Sequence, residues 1–313
     1  MRNHLLGATM ALAMPAAVWS LASLPAAGQT PLAQPTSFGG CPAETMAFHA
    51  CALEKAKTFN PPRTPDGQVD LQGYWRGRLT MDRSVEGVDE NEPMTRSPLS
   101  TWPVAPSLIV DPPDRKIPYQ PWAAEVGRKG QNFQKYIDPR TVCAGGSLSR
   151  SFSDLVQILQ PADEPYVLWL FEDLRIQRVI ATDGRPHIGD NIKLQTGDSV
   201  GRWEGNTLVV DTTNLNGKIR ISMKGDFVTD QVHLRERFTV VDADTIIYEV
   251  TIDDPKVYTR PWTMRVVQKR GVVARQADGE NPEELWEDTC HEGQYSRPSL
   301  VPGYSPSATK PTP

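Results

Sequence analysis

Short segments rich in apolar residues recur along this chain, and in most of them apolar and polar residues alternate. This pattern limits what the chain can fold into. The predicted strands are 71–80, 155–160, 166–171, 174–181, 199–203, 207–213, 232–241, 245–253 and 262–269. The turns between them are mostly short and are marked by Asp183-Gly184, Gly205-Asn206 and Asp254-Pro255. Such a series forms a meander, and a meander must protect its edge strands. We therefore predict a mainly β fold, an antiparallel up-and-down barrel of about eight to nine strands.

Proline argues against a helical bundle, because it supplies 28 of the 313 residues, well above its usual share of about 5%. A few short helices are expected, one at 42–57 and one that starts near Pro121. The predicted organisation is a signal peptide at 1–28, an N-terminal helix and linker at 29–70, and a single barrel domain at 71–296. The barrel domain carries a long Pro-rich wrapping insertion at 81–140, and 297–313 is predicted to be a disordered tail.

The N-terminus predicts export. A short basic start precedes an apolar stretch from Leu5 to Ala27, which ends in small residues before Gln29. A membrane anchor is the alternative, but Pro15 and the small-residue end favour a cleaved signal peptide. No other stretch is long enough to span a bilayer. The expected location is periplasmic or secreted.

Export makes the cysteines interpretable as disulfides. Cys41, Cys51, Cys143 and Cys290 allow three pairings, of which we favour Cys41–Cys51 with Cys143–Cys290 because the first two are close in sequence. A zinc site is the rival interpretation. It is disfavoured because the spacing contains no C-x-x-C.

The register of one hairpin follows from its pattern. If Asp242-Ala243-Asp244 is the loop, Phe238 pairs with Tyr248 on an apolar face, and Arg237 pairs with Glu249 on the other face. The stripe of His233, Arg235 and Arg237 then becomes a solvated ladder. Glu236 is the exception, since it is a carboxylate on the apolar face.

Several motifs resemble a largely uncharacterised family of secreted bacterial proteins. They are DLQGYW at 70–75, DPRT at 138–141, GDSVGRWEGNTLVVDT at 197–212, ERFT at 236–239, DADT at 242–245 and YTRPWT at 258–263. Gly73-x-Trp75 is also similar to the start of lipocalin-type barrels, which implies a lipocalin- or calycin-like fold. Some members of this kind occur in bacteria that degrade plant-derived aromatics. This association implies no catalytic motif.

The chain lacks the signatures of several common enzymes. It has no G-x-S-x-G and no P-loop, and its five histidines show no H-x-H or H-x-x-x-H spacing. We therefore expect no metal and no cofactor. The net charge of −5 gives no electrostatic footprint for binding nucleic acid. The expected partner is a small hydrophobic or aromatic molecule, and self-association is left open.

Acid–base chemistry inside the barrel is the remaining enzymatic hypothesis. Glu236 on the apolar face should be desolvated with a raised pKa, and Tyr248 or His187 could act as its partner. The candidate substrate-binding residues are Trp75, Trp169, Arg175, Arg260 and Trp262. The alternatives are ordinary core packing for the tryptophans, a surface position for His187, and a structural ion pair of Glu236 with Arg175 or Arg265.

Two functions follow from this site. The first is an exported, cofactor-independent lyase or isomerase that acts on a small aromatic or apolar molecule. The second is a non-catalytic carrier of the same ligands. An enzyme needs an acid and a base that face one cavity, whereas a carrier needs only the cavity.

Overall fold

The computed structural model describes residues 37–38, 40–42, 45–77, 85–87, 107–129, 139, 155–172, 176–222, 225–271 and 284–285. The predicted signal peptide, the predicted disordered tail and much of the Pro-rich insertion lie outside the described residues. So do Arg175, Cys143 and Cys290. In the described part of the chain, no helix has the length and apolar character to cross a membrane.

Two helices and twelve strands make up the described structure. The helices are α1 (Thr45–Thr58) and α2 (Pro121–Lys129). The strands are β1 (Ser37–Phe38), β2 (Cys41–Pro42), β3 (Gly73–Gly77), β4 (Ile109–Asp111), β5 (Leu155–Leu159), β6 (Tyr166–Phe171), β7 (Gln177–Ala181), β8 (Asp198–Glu204), β9 (Thr207–Thr213), β10 (His233–Asp242), β11 (Thr245–Asp253) and β12 (Trp262–Arg270).

Nine of these strands close into a barrel, which confirms the predicted fold class. β3 and β5 to β12 follow one another around the barrel in chain order, and β12 pairs with β3 to close it. The nine segments predicted from the sequence correspond to these nine strands. β4, from the Pro-rich insertion, pairs with the first part of β12 beside β3.

One neighbouring pair differs from the prediction. β7 and β8 run parallel, with Ile180 opposite Ser199, whereas the other pairs in the barrel are antiparallel. Asp183-Gly184 therefore does not form a simple hairpin turn. Parallel neighbours need a long crossover, and residues 182–197 provide it.

The β10–β11 hairpin has the predicted register. Phe238 is opposite Tyr248, Glu236 is opposite Val250, and Arg237 is opposite Glu249. The pairing shifts by one residue between Val240 and Asp242, so a bulge precedes the turn. Ala243 and Asp244 alone form the tip, in place of the predicted three-residue loop.

Large aromatic side chains fill the interior of the barrel. Each of the following residues is at most 2% exposed and belongs to one continuous apolar cluster: Trp75, Trp169, Phe171, Phe238, Tyr248 and Trp262. The core therefore lies inside the barrel, and the inward face of each strand is set by the two-residue period of its side chains.

Helix α1 covers part of the outer wall. Phe48 and Ala52 pack against Val241, Ile247 and Val267 of the last three strands. A Cys41–Cys51 disulfide links β2 to this helix, as predicted.

The G-x-W segment closes the first strand against the last one. The indole Nε1 of Trp75 donates to the Leu71 carbonyl at 2.8 Å, and the Arg270 guanidinium lies 4.3 Å from the ring centroid. Gly73 has φ +117, and a Cβ atom there would lie 2.9 Å from Nη1 of Arg270. The backbone conformation therefore favours glycine here, whereas the Arg270 side chain could shift to make room.

The Cys143–Cys290 pairing remains a prediction. We expect peptide mapping under non-reducing conditions to recover a peptide pair that contains Cys143 and Cys290, separate from the Cys41–Cys51 pair. The motivation is the even number of cysteines in a chain expected to be exported. A free thiol at either position would contradict it.

Candidate functional site

Five polar side chains meet inside the barrel and form what we call the inner cluster. They are Arg178 of β7, Ser199 of β8, Thr212 of β9, Glu236 of β10 and Tyr248 of β11. Each is at most 4% exposed. They share one place because each of these consecutive strands presents an inward residue at the same level of the wall.

Glu236 is the acceptor at the centre of the inner cluster. Arg178 donates from Nη1 to Oε1 at 3.0 Å and from Nη2 to Oε2, which makes a bidentate pair. The Thr212 hydroxyl donates to Oε2 at 2.8 Å, and the Tyr248 hydroxyl donates to Oε1 at 2.8 Å. Both carboxylate oxygens are therefore fully engaged.

The hydroxyl groups extend this network. Arg178 donates from Nε to Ser199 Oγ at 3.0 Å and from Nη2 to Thr212 Oγ1 at 2.7 Å. Ser199 Oγ and Thr212 Oγ1 are 3.1 Å apart. Since the proton of Thr212 is directed to Glu236, Ser199 must be the donor in this contact.

The phenol of Tyr248 is a stable proton donor in this environment. Burial is the main cause that raises its pKa well above the ordinary value, and the negative charge of Glu236 raises it further. The group that touches the carboxylate is therefore an intact O–H.

The arginine that pairs with Glu236 is Arg178 and not Arg265, one of the two suggested from the sequence; the other, Arg175, lies outside the described residues. Arg265 lies on the outer face of β12, with its guanidinium 4.8 Å from the ring centroid of Phe48 in α1. Arg178 takes the role instead. The sequence does contain a signal for it, because Arg178 is in phase with Ile176 and Ile180 on the inward face of β7.

The predicted substrate-binding residues are dispersed. Trp169 stands next to the inner cluster, since its ring is 4.4 Å from Phe238, and Phe238 stacks on Tyr248 at 4.8 Å. Trp75 packs on Arg270, and Trp262 packs against Tyr258 at 5.6 Å. Arg260 lies at the surface, where it pairs with Asp111 at 2.8 Å.

His187 does not reach the barrel interior. It belongs to a second group on the outer wall, which we call the outer cluster: His187, Asp198, Asp211 and His233. The ring of His187 lies between two carboxylates, with Nδ1 2.7 Å from Asp198 and Nε2 3.0 Å from Asp211. His233 Nε2 contacts the other oxygen of Asp211 at 2.7 Å.

The two histidines of the outer cluster favour the ionised form of Asp211. Burial alone would raise the pKa of Asp211, but hydrogen bonds from His233 and His187 outweigh it and lower the pKa below the ordinary value. Within the residues that the structure describes, no group of three or more His, Cys, Asp or Glu side chains is arranged to hold a metal ion.

Comparison with protein-family models found no match, and searches of curated proteins and of solved structures found none either. The resemblance inferred from the motifs therefore stays a prediction. The case for a function rests on the geometry of the inner cluster.

Proposed function

We propose that the chain is an exported, cofactor-independent enzyme of the lyase or isomerase type, which uses acid–base chemistry on a small aromatic or apolar molecule. The observation that carries this proposal is the contact between a carboxylate and a protonated phenol, Glu236 and Tyr248, at 2.8 Å inside an apolar barrel. An acid and a base in contact are the minimum that such chemistry needs.

Each member of the inner cluster has a role in the proposal. Glu236 takes a proton from the substrate, and Tyr248 gives a proton to another atom of it. The proton on Glu236 then passes to the Tyr248 oxygen across their 2.8 Å contact, which restores both groups, so no external reductant or oxidant is needed. Arg178 places a positive charge where negative charge develops on the substrate. Thr212 and Ser199 orient the charged pair through hydroxyl contacts.

The surroundings favour an apolar substrate. Trp169 and Phe238 border the inner cluster on one side, and aromatic rings recognise flat apolar molecules through their faces and edges. Arg178 adds a preference for an anionic substituent such as a carboxylate or a phenolate.

Export is part of the proposal and has separate support. The Cys41–Cys51 disulfide is of the kind that persists in oxidising compartments. It agrees with the signal-peptide pattern at 1–28, and together they favour a periplasmic or secreted protein.

A non-catalytic carrier is the second candidate, and a specific observation favours it. Every polar atom of the inner cluster has a hydrogen-bond partner within the cluster, and Glu236 and Tyr248 are both fully buried. A substrate reaches them only by displacing neighbouring side chains. In that case the inner cluster stabilises the barrel, and the protein binds its ligand without changing it.

The test is incorporation of solvent deuterium, because it detects proton transfer without knowledge of the product. Small aromatic and apolar carboxylates are incubated with the protein in D₂O, and their C–H signals are followed by NMR. Wild type is expected to label at least one compound, and Tyr248→Phe is expected to lose the labelling.

Tyr258→Phe is the matched control for this substitution. Tyr258 is another fully buried tyrosine, and its hydroxyl donates to the Phe227 carbonyl at 2.7 Å, away from Glu236. Its variant should label as wild type does. Binding of a compound without labelling would favour the carrier, and labelling that survives in Tyr248→Phe would contradict the assigned acid.

A further inference from the structure

The outer cluster joins the β7–β8 crossover to the barrel wall at one point that depends on a histidine ring. His187 is on the crossover, whereas Asp198, Asp211 and His233 are on β8, β9 and β10. The backbone N–H of Ile188 also donates to Asp198, at 3.2 Å. These contacts attach residues 187–188 to the outer face of β8 and β9.

A different set of contacts attaches the rest of the crossover. The side-chain amide of Asn214 donates to the carbonyls of Gly189 and Ile192, each at 2.9 Å. The backbone N–H of Leu194 donates to the Asn214 carbonyl at 2.8 Å. None of these groups titrates, so this second attachment should not depend on pH.

Because His187 lies between two carboxylates, the number of protons on its ring determines how many hydrogen bonds it can donate to them. A neutral imidazole has one N–H donor, but two carboxylate oxygens face its two nitrogens at 2.7 and 3.0 Å. The protonated ring donates to both. Loss of one proton leaves a lone pair pointing at a carboxylate, which breaks one of the two contacts.

We propose that His187 is a pH-sensitive latch, which holds residues 187–188 to the barrel wall through two carboxylates when its ring is protonated and through only one when the ring is neutral. Histidine is the side chain whose charge ordinarily changes between pH 5 and 8. The latch is therefore tightest with the ring protonated and loosens as the pH rises.

Other charged groups near this ring contribute to the electrostatic potential that it experiences. Around His187 these groups are Asp198 on β8, Asp211 on β9, His233 and Arg235 on β10, and Asp183 and Arg185 on its own segment. Asp211 keeps its charge through the relevant range because its pKa is lowered. Asp211 is therefore a constant acceptor of the latch.

The latch lies behind the inner cluster on the same strands. Asp198 precedes Ser199 on β8, and Asp211 precedes Thr212 on β9, so each carboxylate of the latch faces outward beside an inward hydroxyl of the inner cluster. The proposal does not depend on any activity of the inner cluster, because it concerns attachment of the crossover alone.

Amide hydrogen exchange measured by NMR from pH 5 to 8 tests the latch, with each rate corrected for the intrinsic pH dependence of exchange. The protection of Ile188 N–H is expected to fall roughly tenfold or more across this range, the scale of one hydrogen bond to a charged group. Leu194 N–H serves as the internal reference and should keep its protection.

Two variants test whether His187 is the cause of the pH dependence at Ile188. His187→Gln should remove the pH dependence at Ile188, whereas His233→Gln, which leaves both contacts of the His187 ring in place, should retain it. Protection of Ile188 that does not change with pH in wild type would overturn the proposal. So would a pH dependence that persists in His187→Gln. If His187→Gln does not fold, the ring ¹⁵N shifts of wild-type His187 decide instead, since the proposal requires both nitrogens to be protonated at pH 5 and one to be deprotonated at pH 8.

Discussion

Glu236→Gln is expected to lower the free energy of unfolding by about 3–5 kcal/mol, because it leaves the Arg178 guanidinium charged and buried without its counter-ion. Equilibrium unfolding in urea, followed by tryptophan fluorescence, measures the change. The effect is large because both partners are at most 2% exposed, so water cannot replace the lost carboxylate.

Replacing Arg178 and Glu236 together should lower the free energy of unfolding far less than replacing Glu236 alone. In Arg178→Met with Glu236→Leu, the buried charges are removed as a pair, and apolar replacements for buried ion pairs are often neutral or stabilising. We expect this paired variant to unfold within about 1–2 kcal/mol of wild type, allowing for the hydrogen bonds lost by Thr212 and Tyr248. Equal destabilisation in the single and paired variants would show that the charge is not the cause.

Trp75→Ala is expected to lower the free energy of unfolding by about 3–5 kcal/mol, the usual effect of truncating a fully buried tryptophan. The variant also removes the surface on which Arg270 packs, at the point where β3 meets β12. The loss should therefore appear in urea unfolding as a lower midpoint.

Trp122→Ala provides the comparison. Trp122 is the second residue of α2, is 46% exposed and donates from Nε1 to the Lys256 carbonyl at 3.2 Å. Because much of its ring already faces solvent, we expect a loss of about 1 kcal/mol. If Trp75→Ala lost no more free energy of unfolding than Trp122→Ala, the role given to the β3–β12 closure would be contradicted.

The strands were predictable because their side chains repeat with period two and their turns are short. Segments 166–171, 207–213 and 245–253 have in the structure the bounds expected from their pattern. The hairpin register was predictable for the same reason, since a shift of one residue would have placed apolar side chains opposite polar ones along the whole hairpin.

The composition of the two clusters was harder to predict. Glu236 and Tyr248 are on one hairpin, so their contact follows from its register, but Arg178 comes from β7, and a parallel crossover separates that strand from β8. A short turn at Asp183-Gly184 would let His187 reach Glu236, but the long crossover at 182–197 holds it on the outer wall instead. Its partners Asp198 and Asp211 come from two different strands, and no spacing in the sequence indicates that contact.

The most direct measurement of the central claim is solvent deuterium labelling by the paired variant Arg178→Met with Glu236→Leu, compared with wild type on the same compounds. The urea midpoint first establishes that the variant is folded. If the inner cluster is an acid–base centre, the folded variant incorporates no deuterium into any of the compounds. Labelling at the wild-type rate would contradict the account, because proton transfer would then proceed without Glu236.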